Sequence, residues 1–203
     1  EGELFEFFEA TSKTAPWGLA VRSSATCEDG ALVSMAGLAD TRLGVSSGAD
    51  LVQAVRYVWA SLASARALSY LASHGVRDVS MAVVIQRVVP ARAAGVLFTQ
   101  APTAGHSGER LVNATLGLGH DVVGGHVEPD VWYMKPDGEA SSTTLAESPD
   151  GPREPALRKS DLKELSQYAA KLEGAAREPW DVEFVCDEHK LWIVQARPVT
   201  GRG

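Results

Sequence analysis

A chain of 203 residues can bury a full core as one domain or two tightly associated subdomains, and 45% hydrophobic with 22% charged residues is globular rather than disordered or fibrous. A formal charge of −7 and a pI near 5.2 argue against general affinity for nucleic acid or anionic membranes, leaving room only for a local basic pocket. Cys27 and Cys186 form neither a disulfide scaffold nor a zinc-site spacing, no apolar run approaches the roughly 20 residues that span a bilayer, and the acidic N-terminus is unlike a signal peptide; a cytoplasmic protein is expected.

In chain order, Leu4, Phe7 and Phe8 predict an amphipathic helix over Glu1 to Lys13, ended near Pro16, and Trp17 to Ser23 reads as a buried strand. Ser24 to Val45 is rich in Ser, Thr, Gly, Asp and Ala, the composition of ligand-binding loops. Asp50 is expected to cap a helix whose core face is Leu51, Val55, Val58, Trp59, Leu62 and Ala65. Met81 to Gln86 and Gly95 to Thr99 read as two neighbouring strands joined through Pro90, and Arg110 to Thr115 as a third. Val131 to Lys135 and Ser141 to Leu145 flank the turn Pro136-Asp137-Gly138, Glu147 to Pro155 is a surface loop, and Ser160 caps a helix carrying Leu162, Leu165, Ala169 and Leu172. Trp180 to Cys186 and Leu191 to Ala196 form the last hairpin, around Asp187-Glu188-His189. The order is α+β, without βαβ repetition.

Two constellations carry possible chemistry. The two-residue period of a strand places Asp181 and Glu183 on one face, and Gln195 and Arg197 on one face of the partner strand. If the registers align, hard oxygen donors suited to Mg2+ meet a guanidinium suited to a phosphoryl group, the requirements of phosphoryl transfer. The same residues also fit a solvated salt-bridge face. The second constellation is Val21-Arg22-Ser23-Ser24-Ala25, then Glu28-Asp29 and Ser34-Met35-Ala36-Gly37-Leu38-Ala39-Asp40-Thr41. It could surround phosphate oxygens with NH and OH donors, although an Arg-Ser-Ser loop is also an ordinary turn. Neither a GxxxxGK[ST] loop nor a dinucleotide GxGxxG motif occurs.

Taken together, VRSSATCEDG with SMAGLADTRLGV, AVVIQRVVPARAAGVLFTQAP, NATLGLGHDVVGGHVEPD, and DVEF with IVQARPVT occur in one order from Val21 to Thr200. They resemble the ATP-binding domain of phosphoenolpyruvate synthase/pyruvate phosphate dikinase-type phosphotransferases, and also rifampin phosphotransferase. The resemblance implies an ATP-grasp fold of mixed or antiparallel sheet with flanking helices, in which two α+β subdomains hold ATP. It implies that Arg22 and the loop Ser34, Ala36, Gly37, Asp40 and Thr41 contact the phosphates, and that Gln86 leads into a hinge where the backbone of Val88 and Val89 meets adenine. By the same resemblance Glu183 and Gln195 hold the metal with Asp181 beside them, and Arg197 stabilises the phosphoryl group in flight. The group then passes to a histidine on a separate swivelling domain, which serves a phosphoenolpyruvate- or pyruvate-type domain in the same chain or a companion chain.

The chain also departs from the family. His120, followed by Asp121, stands where the family block carries a Glu after its GLG turn, placing His120 at a nucleotide contact. The family's first segment, with its Gly-Gly-Lys block, lies outside the sequence, as do the swivelling domain and the phosphoenolpyruvate-binding barrel. A chain that opens on Glu1 in mid-domain sequence is expected to be an excerpt or a processed product. Two functions follow: an ATP-dependent, magnesium-requiring phosphotransferase domain, or a catalytically incomplete nucleotide- or partner-binding module of a split or degenerate member. The remaining singletons read as structural. Thr103-Ala104-Gly105-His106-Ser107 only superficially resembles a phosphohistidine site, Trp59, Trp132, Trp180 and Trp192 read as packing residues, and acidic Glu28 and Asp29 argue against a reactive Cys27. His74, His126 and His189 lack metal-site spacing.

Overall fold

A computed structural model of the chain describes residues 1–26, 40–117, 128–146, 154–176 and 178–199. They divide into two compact units, Glu1–Val89 and Pro90–Val199.

The first unit is a three-stranded antiparallel sheet in the order β2-β1-β3, formed by β1 (Leu19–Ala25), β2 (Thr41–Val45) and β3 (Met81–Arg87). Helices α1 (Gly2–Ser12), α2 (Gly48–Ser61) and α3 (Ala65–Ser73) accompany it. Leu51, Val55 and Val58 of α2 close on Leu19, Val21 and Val45, with Met81, Val83 and Ile85 packed against them. One face of the sheet is therefore hydrocarbon, as the two-residue period dictates. The expected helix cap is corrected. Ser47, not Asp50, terminates α2, its hydroxyl accepting from the Asp50 N–H at 3.0 Å, because the residue three positions before that amide is the one that can reach it. Trp59 is also off the core face, 53% exposed, and Ser64 caps a separate helix, α3, by accepting from the Ala67 N–H.

The second unit is a six-stranded antiparallel sheet, β7-β6-β5-β4-β8-β9. Its strands are β4 (Ala93–Phe98), β5 (Arg110–Leu116), β6 (Asp130–Met134), β7 (Ala140–Thr144), β8 (Trp180–Cys186) and β9 (Leu191–Pro198). Helix α4 (Lys159–Ala175) buries Leu162, Leu165 and Ala169 against Leu97, Val112, Trp132, Val182 and Phe184. At its start the Asp161 carboxylate accepts from the Arg158 N–H at 2.8 Å, so Arg158, not Ser160, is the capping position. Buried Arg110 fixes the helix to the strands, donating to Glu173 at 3.2 and 2.7 Å, to Ser166 Oγ at 2.7 Å and to the Pro136 carbonyl at 3.0 Å. Asp130, fully buried, accepts from the N–H groups of Ala146 and Ala156, both at 2.8 Å.

Two organisational expectations change. β3 and β4 are not neighbours: β3 pairs with β1 along Leu19↔Arg87 to Ala25↔Met81, whereas β4 pairs with β5 and β8. The Pro90 linker carries the chain from one sheet to the other. The loop predicted over Ser24 to Val45 ends in β2, whose register with β1 includes Arg22↔Thr41. Most of the loop expected over Glu147 to Pro155 lies outside the described residues.

Candidate nucleotide-binding site

The hairpin β8–β9 has the register that the sequence left conditional. Asp181 lies opposite Arg197 and Glu183 opposite Gln195, before a bulge that shifts the pairing to Phe184↔Ile193. Val182, Phe184 and Cys186 point into the core under α4, so the four polar residues share the other face. Direct partners sit about 4.5–5.5 Å apart at Cβ, close enough for Glu183 and Gln195 to offer oxygens to one small cation. Arg197 donates from Nε and Nη2 to a single oxygen, Oδ2 of Asp181, at 3.0 and 2.7 Å. That carboxylate is thus arranged around the guanidinium. Among the described residues no group of three or more His, Cys, Asp or Glu side chains is placed to hold a metal ion. Glu183 with the Gln195 amide is the oxygen pair that fits one, and the donor set is hard, as Mg2+ requires.

The same face continues across the sheet in rows set by register. Val131, Asn113, Val96, Glu183 and Gln195 form one row across five strands. Leu111, Phe98, Asp181 and Arg197 form the next on one side, and Thr115, Ala94, Val185 and Trp192 the next on the other. The face therefore grades from an apolar row through a row of oxygen donors to an ion pair. Trp192 is held at the turn by its Nε1–H, which donates to Asp187 Oδ2 at 2.7 Å, and by Lys190, whose Nζ lies 3.6 Å from the ring centroid. The Trp192 bond, with the His189 and Lys190 amides, pulls the Asp187 carboxyl down to about 2. Asn113 and Thr115 stand at the head of the block NATLGLGHDVVGGHVEPD without a role read for either, and Val185 lies in no such motif; the pairing of β4, β5 and β8 brings them beside the hairpin.

In the first unit the sheet face away from α2 carries Arg22, Thr41 and Gln86. Arg22 is flanked by Thr41 on β2 and Val84 on β3, and Gln86 lies opposite Ala20. These sequence-predicted residues are thus brought together. Asp40 is not among them: its N–H donates to Ser61 Oγ at 3.3 Å, and its carboxylate, hydrogen-bonded to Tyr57, raises the phenol's pKa. Arg42 stacks 3.7 Å over the Tyr57 ring, so this part of β2 is turned to α2. At the predicted hinge, the Val88 N–H already donates to the Gly18 carbonyl at 3.0 Å, prolonging the β1–β3 pairing by a residue. Val89 ends the first unit. Ser34, Ala36, Gly37 and His120 lie outside the described residues, as do Cys27 and His126. His106 stacks on Tyr133 at 3.5 Å and meets Glu109 Oε2 at 2.6 Å through Nδ1, which ties it to its own loop.

Comparison with known proteins gives this geometry its context. The family model described as "Pyruvate phosphate dikinase, AMP/ATP-binding domain" matches residues 2–203. A rifampicin phosphotransferase of a Streptomyces species is 38% identical over 201 residues, covering 89% of this chain and 23% of the relative. A probable phosphoenolpyruvate synthase of Methanocaldococcus jannaschii is 33% identical over 203 residues, covering 90% of this chain and 17% of the relative. The chain thus spans about a fifth of the length of these relatives. Among solved structures, an acetyl-coenzyme A synthetase of Ca. Korarchaeum cryptofilum aligns with a TM-score of 0.55 at 12% identity, over 97% of this chain and 82% of that one. At that identity the likeness concerns fold alone, and it agrees with the α+β, ATP-grasp-like architecture expected from the sequence. In the described residues no helix is long and apolar enough to cross a membrane. With residues 2–203 matched by one family model, the chain belongs to the pyruvate phosphate dikinase AMP/ATP-binding domain family, an ATP-binding phosphotransferase family.

Proposed function

We propose that this chain binds MgATP and presents its terminal phosphoryl group for transfer to a histidine on a separate swivelling domain. The observation that carries the reading is the register of the last hairpin, Glu183↔Gln195 beside Asp181↔Arg197, in a member of this family. Glu183 and the Gln195 amide oxygen would hold Mg2+, which when bound neutralises phosphate charge and aligns the phosphate chain. Arg197, its fork oriented by Asp181, donates hydrogen bonds to the oxygens of the group in transit, where charge is spread over the equatorial positions. Asp181 acts chiefly through Arg197, whose Nε and Nη2 both donate to its Oδ2. Arg22 and Thr41, together with Ser34, Ala36 and Gly37, bind phosphate oxygens, and Asp40 supports the segment through α2. His120 meets the sugar–phosphate portion. Gln86, the Val88 carbonyl and Val89 meet the adenine, the Val88 N–H being engaged with Gly18. The phosphohistidine then serves a phosphoenolpyruvate- or pyruvate-type acceptor domain in the cytoplasm.

A second reading, nucleotide binding without transfer, is favoured by His120, which stands where the family carries a Glu. Calorimetric titration with ATP, with and without Mg2+, on the wild type and Glu183→Ala separates the readings from a misassigned site. Metal-dependent binding weakened at least tenfold by the substitution is expected. Metal-independent binding that Glu183→Ala leaves unchanged would reject the hairpin as the metal site. Phosphorylation of an added swivelling domain distinguishes transfer from binding alone.

A further inference from the structure

The sheet that presents Glu183 and Gln195 carries one more polar side chain in the same row. Asn113 stands on β5, paired to Val96 of β4, which is paired to Glu183 of β8. Two strand spacings separate Asn113 from Glu183, about 10 Å across the face. Its flanking residues on that face of β5 are Leu111 and Thr115, both buried, and its neighbours along the row are Val131 and Val96.

An asparagine is a poor choice for such a place. It is depleted from strands, and its amide has two N–H donors and two acceptor lone pairs that an interior strand leaves unused. Asn113 is half-buried, and its side chain makes no hydrogen bond among the described residues. Two other polar residues of these strands, Arg110 of β5 and Asp130 of β6, are buried with several partners each, whereas Arg92 Nε and Trp180 Nε1 of the same unit are buried with none. A leucine would fill a similar volume and suit the surrounding Val and Leu residues better.

We propose that Asn113 is a nucleotide-binding residue, its amide hydrogen-bonding the sugar–phosphate part of the nucleotide whose metal Glu183 and Gln195 hold. The inference rests on the function proposed above and extends that site two strands toward the middle of the sheet. An amide serves either partner there, since it donates to phosphate oxygens and exchanges hydrogen bonds with sugar hydroxyls.

The test is calorimetry on the full chain with MgATP and, separately, magnesium tripolyphosphate, comparing wild type, Asn113→Ala and Asn113→Leu, with thermal melts of each. Loss of one such bond should weaken MgATP binding about 5- to 10-fold in both variants, while Asn113→Leu melts at or above the wild-type temperature. Binding lost together with stability gained is a pattern that a purely structural Asn would not give. A parallel loss for tripolyphosphate assigns the contact to phosphate, and an unchanged tripolyphosphate affinity assigns it to the sugar; both support the proposal. MgATP binding within twofold of wild type in both variants overturns it and leaves the hairpin site standing, provided Glu183→Ala still weakens binding. If the folded wild type binds no MgATP, the functional reading fails, and this inference fails with it.

Discussion

Replacing Asp181 by Asn separates two roles that the hairpin could give this carboxylate. Two guanidinium N–H groups of Arg197 converge on Asp181 Oδ2 at 3.0 and 2.7 Å, with side chains 24% and 15% exposed. A hydrogen bond to a charged group contributes about 1.5–3 kcal/mol net, and residual solvent at this pair brings the restraint on Arg197 toward about 1–2 kcal/mol. Asn keeps the volume and one acceptor but loses the charge, so Arg197 samples other rotamers. If Arg197 serves the terminal phosphoryl group, the preference for ATP over ADP should fall roughly tenfold, as it should in Arg197→Ala, and the double variant should lose little more than Arg197→Ala alone. The Mg2+ concentration that half-saturates ATP binding should move less than about threefold in Asp181→Asn, since neither Glu183 nor Gln195 is touched, whereas Glu183→Gln should move it by more than about tenfold. Calorimetric titration of ATP and ADP at several Mg2+ concentrations reads both quantities. An Asp181→Asn protein with an intact ATP-over-ADP ratio and a Mg2+ requirement raised like that of Glu183→Gln would refute the reasoning and make Asp181 a metal ligand.

Three further outcomes follow from the second unit. A Cβ at Gly95 would run into the carbonyl oxygen of Asn113 and lie 2.8 Å from Ala114 Cα, both backbone atoms of β5. Gly95→Ala should therefore destabilise the chain by about 3 kcal/mol or more, read as a urea midpoint shift followed by far-ultraviolet circular dichroism, and a shift under about 1 kcal/mol would show that β4 and β5 separate easily. Burial pushes the Cys186 thiol up to about 12, so in a Cys27→Ser background a disulfide reagent at pH 8 should label it only after unfolding; labelling at a free-thiol rate would contradict its place in the core. The Asp187 carboxyl, held down to about 2 chiefly by the Trp192 indole, should contribute stability that is fully present above about pH 4 and lost as pH falls through about 2. Melts of wild type against Asp187→Asn should differ at pH 5 and converge below pH 2, and a difference independent of pH would remove the carboxylate from the turn.

How much was legible depends on whether a feature is local. The strands of the hairpin β8–β9 could be paired from the sequence because they flank the short turn Asp187-Glu188-His189, but the register at the site could not: counted from the turn, Phe184↔Ile193 would continue to Val182↔Gln195, and the bulge between Glu183 and Phe184 is what brings Gln195 opposite Glu183. The same logic found β6 and β7 around Pro136-Asp137-Gly138. It failed for β3 and β4, which are close in sequence and similar in composition, yet enter different sheets. Pairing β1 with β3 is a choice among distant partners, and nothing in either strand's own pattern announces it. Helix starts were misplaced for a smaller reason: Ser47 and Asp50 are both good caps, and only the geometry of the first turn decides between them.

The candidate site divides along the same line. Asp181 with Glu183, and Gln195 with Arg197, were visible as pairs because the strand period puts each pair on one face of its strand, while the bulge that brings the two pairs opposite each other was not legible. Arg22 and Thr41 were read from the residues as part of a phosphate-binding constellation and Gln86 by resemblance, but their common face depends on β1 pairing with both β2 and β3. Asn113 opens a block that carried the resemblance, yet no role was read for it there. A strand's own alternation assigns each side chain a face, whereas the row it occupies on that face is decided by neighbours far away in the chain. Polar residues whose local sequence looks like core, and whose row contains functional groups, are therefore where a structure adds most to a reading of the sequence.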